Sequence, residues 1–180
     1  PGDRREGMDM SNWFSGDTAG LAASLERRRK AFALFELVQN SWDSGADRVT
    51  ITLKPIDGQP YARLIVEDNG EGFADLADAH TMFARSVRAT DPEKRGRFNF
   101  GEKLVLAICR KATIRTRAGS LEFREDGTLK RFAENRDGTI FSAELRMTRD
   151  EYSEVCEAMR RLIPPVTTIF DGEEIGRHGF

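Results

Sequence analysis

The stretch from Ala112 to Leu145 constrains the fold most. It divides into four short segments, Ala112–Arg117, Ser120–Arg124, Thr128–Ala133 and Thr139–Leu145, parted by Ala118-Gly119, Asp126-Gly127 and Asp137-Gly138. Apolar and polar residues alternating between glycine turns predict successive antiparallel strands. Upstream, Gly20–Ser44 is rich in Ala, Leu, Arg and Glu and reads as one long helix, with Gly45 as its left-handed C-cap. Val49–Leu53 and Tyr61–Glu67 form a hairpin about the Pro55–Pro60 turn. Leu76–Ala84 reads as a short helix, Arg85–Asn99 as a long basic loop of the kind that serves as a lid, and Glu102–Arg110 as a buried helix. The four strands then follow as a meander. Asp150–Leu162 is a final amphipathic helix with Thr148 or Asp150 as N-cap. That segregation predicts an α+β fold: a two-layer α/β sandwich whose mixed, mostly antiparallel sheet carries its helices on one face.

The 180 residues suffice for one domain, or one domain and a short piece of another. Residues 1–10 read as a flexible or appended N-terminus, with Met8 or Met10 as the natural start, and 11–163 as the main domain. Pro164-Pro165 marks a break, so 164–180 reads as a linker and the opening hairpin of a second domain. The 28 Lys and Arg against 30 Asp and Glu leave a net charge of −2. That balance gives no global pull toward nucleic acid or an anionic membrane, though it leaves room for a local basic patch. The run Arg27-Arg28-Arg29-Lys30 reads as a solvated helix face, with nucleic-acid phosphates as the alternative partner. No apolar run approaches the ~20 residues that span a bilayer, and the first residues lack the hydrophobic segment of a secretory leader. Cys109 and Cys156, without CxxC spacing, read as reduced core thiols of a cytoplasmic protein, or a nuclear one in a eukaryote.

Three constellations carry chemistry. In Glu36-Leu37-Val38-Gln39-Asn40-Ser41-Trp42-Asp43, the residues Glu36, Asn40 and Asp43 share one helix face among the apolar Phe32, Phe35, Leu37 and Val38. A carboxylate and an amide oxygen so spaced can hold a hydrated Mg²⁺ and orient a water, and the same stripe also suits the wet side of a surface helix. Trp42 reads as a core anchor. In Val66-Glu67-Asp68-Asn69-Gly70-Glu71-Gly72, a strand delivers an acid into a turn whose glycines let a flat ligand approach the backbone. An Asp there can accept a hydrogen bond from an exocyclic amine, and the segment equally fits a plain turn. In Gly96-Arg97-Phe98-Asn99-Phe100-Gly101-Glu102-Lys103, glycines and cations lead into a helix N-terminus that can hold an anion, although the spacing is not that of a P-loop.

Taken in order, the helix-borne ExxxNxxD, the strand-end DxGxG, the lid, the glycine-rich helix start and Asp137-Gly138-Thr139 form one series. The series resembles the ATP-binding domain of the superfamily that joins gyrase B, heat-shock chaperones, histidine kinases and MutL, the GHKL or Bergerat fold. The resemblance runs from Ala31 to Leu145 and implies ATP and Mg²⁺ as ligands. By that likeness Glu36 is the base that activates the attacking water, Asn40 the Mg²⁺ ligand and Asp43 the acid beside the sugar. Asp68 becomes the acid that reads adenine, with Gly70 and Gly72 lining the base and Thr139 reaching it through water. Ser86 and Thr90 stand where relatives have a lid hydroxyl. Gly96 and Gly101 match the outer glycines of the lid motif, Asn99 replaces its middle glycine, and Lys103 falls near the phosphates. Ser44-Gly45-Ala46 stands where these proteins usually have Ala-Gly-Ala.

His80 and His178, the only histidines, lack the setting of a phosphoacceptor. With Glu36 in place, the likeness favours the gyrase, MutL, chaperone and MORC-like branch over the kinases. It implies Mg-dependent ATP hydrolysis coupled to lid closure and to ATP-dependent homodimerisation, with a DNA or protein client and no membrane. The alternative is a nucleotide-gated switch with little or no turnover, kept open by Asn99.

Overall fold

The computed structural model describes residues 18–79, 109–124, 126 and 128–176. Helix α1 spans Thr18–Asp43. Its buried Leu34, Leu37, Val38 and Ser41 fall at the i, i+3, i+4, i+7 spacing of a core-facing stripe. Gly45, at φ +76°, caps it as expected. The hairpin follows as β1 (Arg48–Pro55) and β2 (Tyr61–Asp68), paired from Val49↔Asp68 to Pro55↔Ala62. A helical turn at 76–79 begins the predicted short helix. Strands β3 (Cys109–Thr116), β4 (Gly119–Arg124), β5 (Leu129–Phe132) and β6 (Thr139–Arg146) correspond to the four alternating segments. Helix α2 (Arg149–Arg160) precedes β7 (Thr167–Phe170) and β8 (Glu173–Glu174).

The eight strands form one sheet in the order β5-β4-β3-β6-β2-β1-β7-β8. Every neighbouring pair is antiparallel except β1 with β7, so the sheet is mixed and mostly antiparallel. Helices α1 and α2 cover one face. Leu34 and Val38 from α1 and Val155 and Met159 from α2 meet Ile51, Leu53, Leu64 and Phe170 there. The helices are also tied by charge, since Lys30 Nζ donates to Glu151 Oε2 at 2.8 Å between buried side chains. Thr148 is the N-cap of α2 and forms a capping box with Glu151, so one carboxylate closes a helix end and anchors a lysine of its neighbour.

The structure corrects the sequence reading in several places. Cys109 and Arg110 open strand β3 rather than closing a helix, while 102–108 lie outside the described residues. The four strands are not a simple meander: β6 passes β5 and β4 and inserts between β3 and β2. Alternation reveals which residues form strands but not which neighbours they choose. Residues 167–174, read as the start of a second domain, extend this sheet through the parallel pairing Arg48↔Thr167 to Ile51↔Phe170. The Pro164-Pro165 break is thus the corner of a crossover from α2. Lys30 belongs to the core rather than to a solvated face, and Phe32 is half exposed. Trp42 packs against the core as read, with its indole N–H donating to Thr168 Oγ1 at 3.0 Å and its ring set edge-on to Phe35. Neither Cys109 nor Cys156 is in a disulfide; Cys156 is buried and Cys109 partly so. His80 and His178 lie outside the described residues. No described helix is long and apolar enough to cross a membrane.

Candidate functional site

Where β2 ends, the sheet and the last turns of α1 diverge around a cavity of about 490 Å³. Leu37, Val66, Ile114, Phe73 and Phe141 supply apolar walls, and Asn40, Asp43, Asp68 and Thr139 supply polar groups. Concave, mostly apolar space of this size with a few convergent polar groups suits a flat heterocyclic ligand.

Asp68 is the buried acid of the site. It is the last residue of β2 and is paired in register with Thr139, the first of β6, so the strand ladder fixes both at one end of the sheet. Its Oδ1 accepts from Gly70 N–H at 3.0 Å and lies 3.3 Å from Ser44 Oγ. Burial pushes its carboxyl above the ordinary carboxylate value, and hydrogen bonds from Gly70, Ser41, Ser44 and Thr139 offset part of that rise. The Ser44 hydroxyl lies closer to another acceptor, donating to Ser41 O at 2.7 Å. Its single proton is thus shared between backbone and carboxylate, more strongly with the backbone, and Asp68 keeps acceptor capacity for a ligand donor.

The loop after Asp68 is strapped down at three points. Asn69 Oδ1 accepts from Asp47 N–H and Arg48 N–H at 3.1 and 3.0 Å, Glu71 N–H donates to Ser44 O at 3.1 Å, and Phe73 N–H donates to Thr116 Oγ1 at 2.7 Å. Gly72, at φ +67°, has room for no side chain: a Cβ there would lie 2.6 Å from Thr116 Oγ1 and 2.8 Å from Gly138 O. Gly138 is equally constrained, since its φ is +71° and a Cβ would collide with the Asp68 carbonyl.

Of the residues singled out from the sequence, the structure gathers Asn40, Asp43, Asp68, Gly72 and Thr139 around the cavity. Gly70 sits beside it, its α-carbon against Ser44. Glu36 is half-buried one helical turn before Asn40 and does not line the cavity. At 1.5 Å per residue, Asp43, Asn40 and Glu36 are spread over about 10 Å of helix axis leading away from the Asp68 end. Ser86, Thr90, Gly96, Asn99, Gly101 and Lys103 lie outside the described residues. Sequence reasoning missed Ser41, Asn69 and Thr116. Asn69 carries the local signature of a turn-forming side chain, whereas the role of Thr116 depends on a contact 43 residues away.

The described residues hold no cluster of three or more His, Cys, Asp or Glu able to cage a metal ion. One amide oxygen, that of Asn40, fits a hard cation that keeps most of its waters and takes its other ligands from phosphates, as Mg²⁺ does.

Fold and cavity together define an α+β domain with a ligand-sized cavity between a sheet end and a helix. A family profile described as "Histidine kinase-, DNA gyrase B-, and HSP90-like ATPase" matches residues 28–157. The chain belongs to this ATPase family, and ATP is the ligand that membership supports. Comparison with curated proteins finds no match.

Proposed function

We infer that this domain binds ATP with adenine in the 490 Å³ cavity and hydrolyses it to ADP and phosphate. The observation that carries the reading is the buried Asp68 at the end of an apolar cavity whose helical wall presents Asn40 and Asp43. Asp68 accepts from the exocyclic amine of the base, Thr139 lies beside it, and Asp43 faces the sugar. The ligand then runs along α1, so that Asn40 and Glu36 are met in turn toward the phosphate end.

Glu36 takes the role of general base. Its carboxylate accepts a proton from a water whose oxygen attacks the γ-phosphorus, as the bond from that phosphorus to the β,γ-bridging oxygen breaks and ADP departs. Asn40 is the residue that would hold Mg²⁺, which when bound neutralises charge on the phosphates. Lys103, Gly96 and Gly101, with Ser86 and Thr90, complete the phosphate side in this reading, and lid closure with homodimerisation accompanies nucleotide binding.

A second reading is a nucleotide-gated switch with little turnover, favoured by the position of Glu36 outside the cavity lining. Steady-state phosphate release separates the two. Glu36→Ala is expected to bind ATP as the parent does and to lose at least the 10²–10⁴-fold that a general base contributes. An unchanged rate would remove Glu36 from the chemistry. A parent protein that binds ATP without releasing phosphate would select the switch.

A further inference from the structure

The sheet face opposite the helices carries a layered arrangement of charge that the nucleotide site does not use. One register row crosses five strands in the order Arg124, Lys111, Glu144, Arg63, Lys54. Three carboxylates lie beneath the cations, of which Asp171 pairs with Lys54 at 3.4 Å, and a fourth, Asp126, is exposed near Arg124. The side chains of Lys54, Arg63, Lys111 and Arg124 are 43–59% exposed, whereas those of Asp171, Glu144 and Glu122 are only 9–21% exposed. Two of these acids each hold two cations. Glu144 accepts from Arg110 at 2.7 Å and Arg63 at 3.3 Å, and Glu122 accepts from Arg124 at 2.6 Å with Lys111 Nζ 3.5 Å away. Each such acid is outnumbered by its cations, which point outward; Asp126 near Arg124 offsets the surplus in the second group. With Asp171 and Asp126 counted, the row and its partners hold five cations against four carboxylates, so an acidic chain keeps a surplus of one cation here, with the cations outermost.

We propose that this open sheet face is a docking surface for duplex nucleic acid, held through its phosphates. Neighbouring strands are about 4.8 Å apart, so the row is about 19 Å long and its two cation pairs, Lys54 with Arg63 and Lys111 with Arg124, are centred about 14 Å apart. That separation places one pair on each rim of a major groove about 12 Å wide, with the recessed Glu144 over the groove, where there is no phosphate to repel it. The next row along the strands adds the hydroxyls of Thr52, Ser142 and Thr113, which suit phosphate oxygens. A single strand held by base stacking fits less well. Tyr61, the aromatic at this end of the face, has its ring covered by the Arg110 guanidinium 4.2 Å from the centroid. Contact is thus with the backbone and indifferent to sequence.

The test is fluorescence anisotropy of a labelled random-sequence duplex with the full chain, at several salt concentrations. Four phosphate contacts predict an affinity that falls about 10²-fold between 50 and 200 mM salt. Arg63→Gln with Lys111→Gln should weaken binding and lower the salt slope by about 2, and the well-exposed Lys54→Gln alone by about 1. Arg161→Gln, at the C-cap of α2 and away from this face, should leave binding unchanged. Melting curves and ATP-analogue titrations on the same variants keep a folding defect, or failure of the nucleotide reading, distinct from failure of this one. No duplex binding by the parent at 50 mM salt would overturn the proposal, as would full affinity in the double variant. Equal competition by poly-glutamate at matched charge would overturn it in favour of an acidic protein partner.

Discussion

At the residue scale the account rests on Asp68. A carboxylate placed at a sheet end and largely removed from water has to be held by donors, and Gly70, Ser41, Ser44 and Thr139 supply them. Asp68→Asn places an amide donor where a ligand amine needs an acceptor, and is expected to abolish ATP-analogue binding in a calorimetric titration while the chain still melts cooperatively. The raised pKa also gives a signed pH dependence. Ionised Asp68 is the form that accepts, so analogue affinity should fall as pH drops through that raised value. Stability of the free protein has the opposite slope from this group: above the ordinary value of 3.8 the unfolded chain releases the proton before the folded one, so this contribution declines with rising pH. Unchanged affinity across that range would remove the carboxylate from ligand recognition. The glycines make a separate prediction. Gly138→Ala drives a methyl into the Asp68 backbone at a positive φ, and should cost both stability and nucleotide affinity, which a urea melt and a titration read independently.

At the scale of elements, the joint between α1 and α2 is the most exacting. Glu151 serves as N3 of the capping box and as the partner of buried Lys30. Burial tends to raise its pKa, but the hydrogen bonds from Lys30 and Thr148 outweigh this and hold it below 4.5. Its stabilising contribution is therefore full above that ordinary value and is lost as pH falls through the lowered one. Glu151→Ala leaves a buried ammonium without its carboxylate and is expected to cost about 3–5 kcal/mol. Adding Lys30→Met should recover part of the loss, and urea melts of both variants check this. The elements also mark how much of the molecule could be read from its sequence. The apolar stripe of α1, the Gly45 cap, the first hairpin and the Thr148 cap are set by local spacing, and all are legible. Insertion of β6 between β3 and β2, and the return of β7 to β1, are choices among partners of similar pattern, made by where the helices leave the chain. The Asp68 end of the site was visible because a strand, an acid and two glycines are contiguous. Its supports, Ser41 and Thr116, were not, because each joins through space what the chain keeps apart.

At the scale of the whole molecule, one sheet has two unlike faces. Its covered face anchors α1 and so fixes Asn40 and Asp43 relative to Asp68; its open face carries the layered charge row. Ligand bound at the covered side adds stability by mass action, about 2.7 kcal/mol at a hundredfold excess over the dissociation constant. The gain should appear as a rise in melting temperature with ATP analogue and be absent from Asp68→Asn. The most direct test of the central claim is calorimetric titration of the 180-residue chain with a non-hydrolysable ATP analogue, with and without Mg²⁺, beside the same titration of Asp68→Asn. The account predicts a one-site isotherm that strengthens with Mg²⁺ and vanishes in the variant. No heat from the parent, or equal binding by Asp68→Asn, would contradict it.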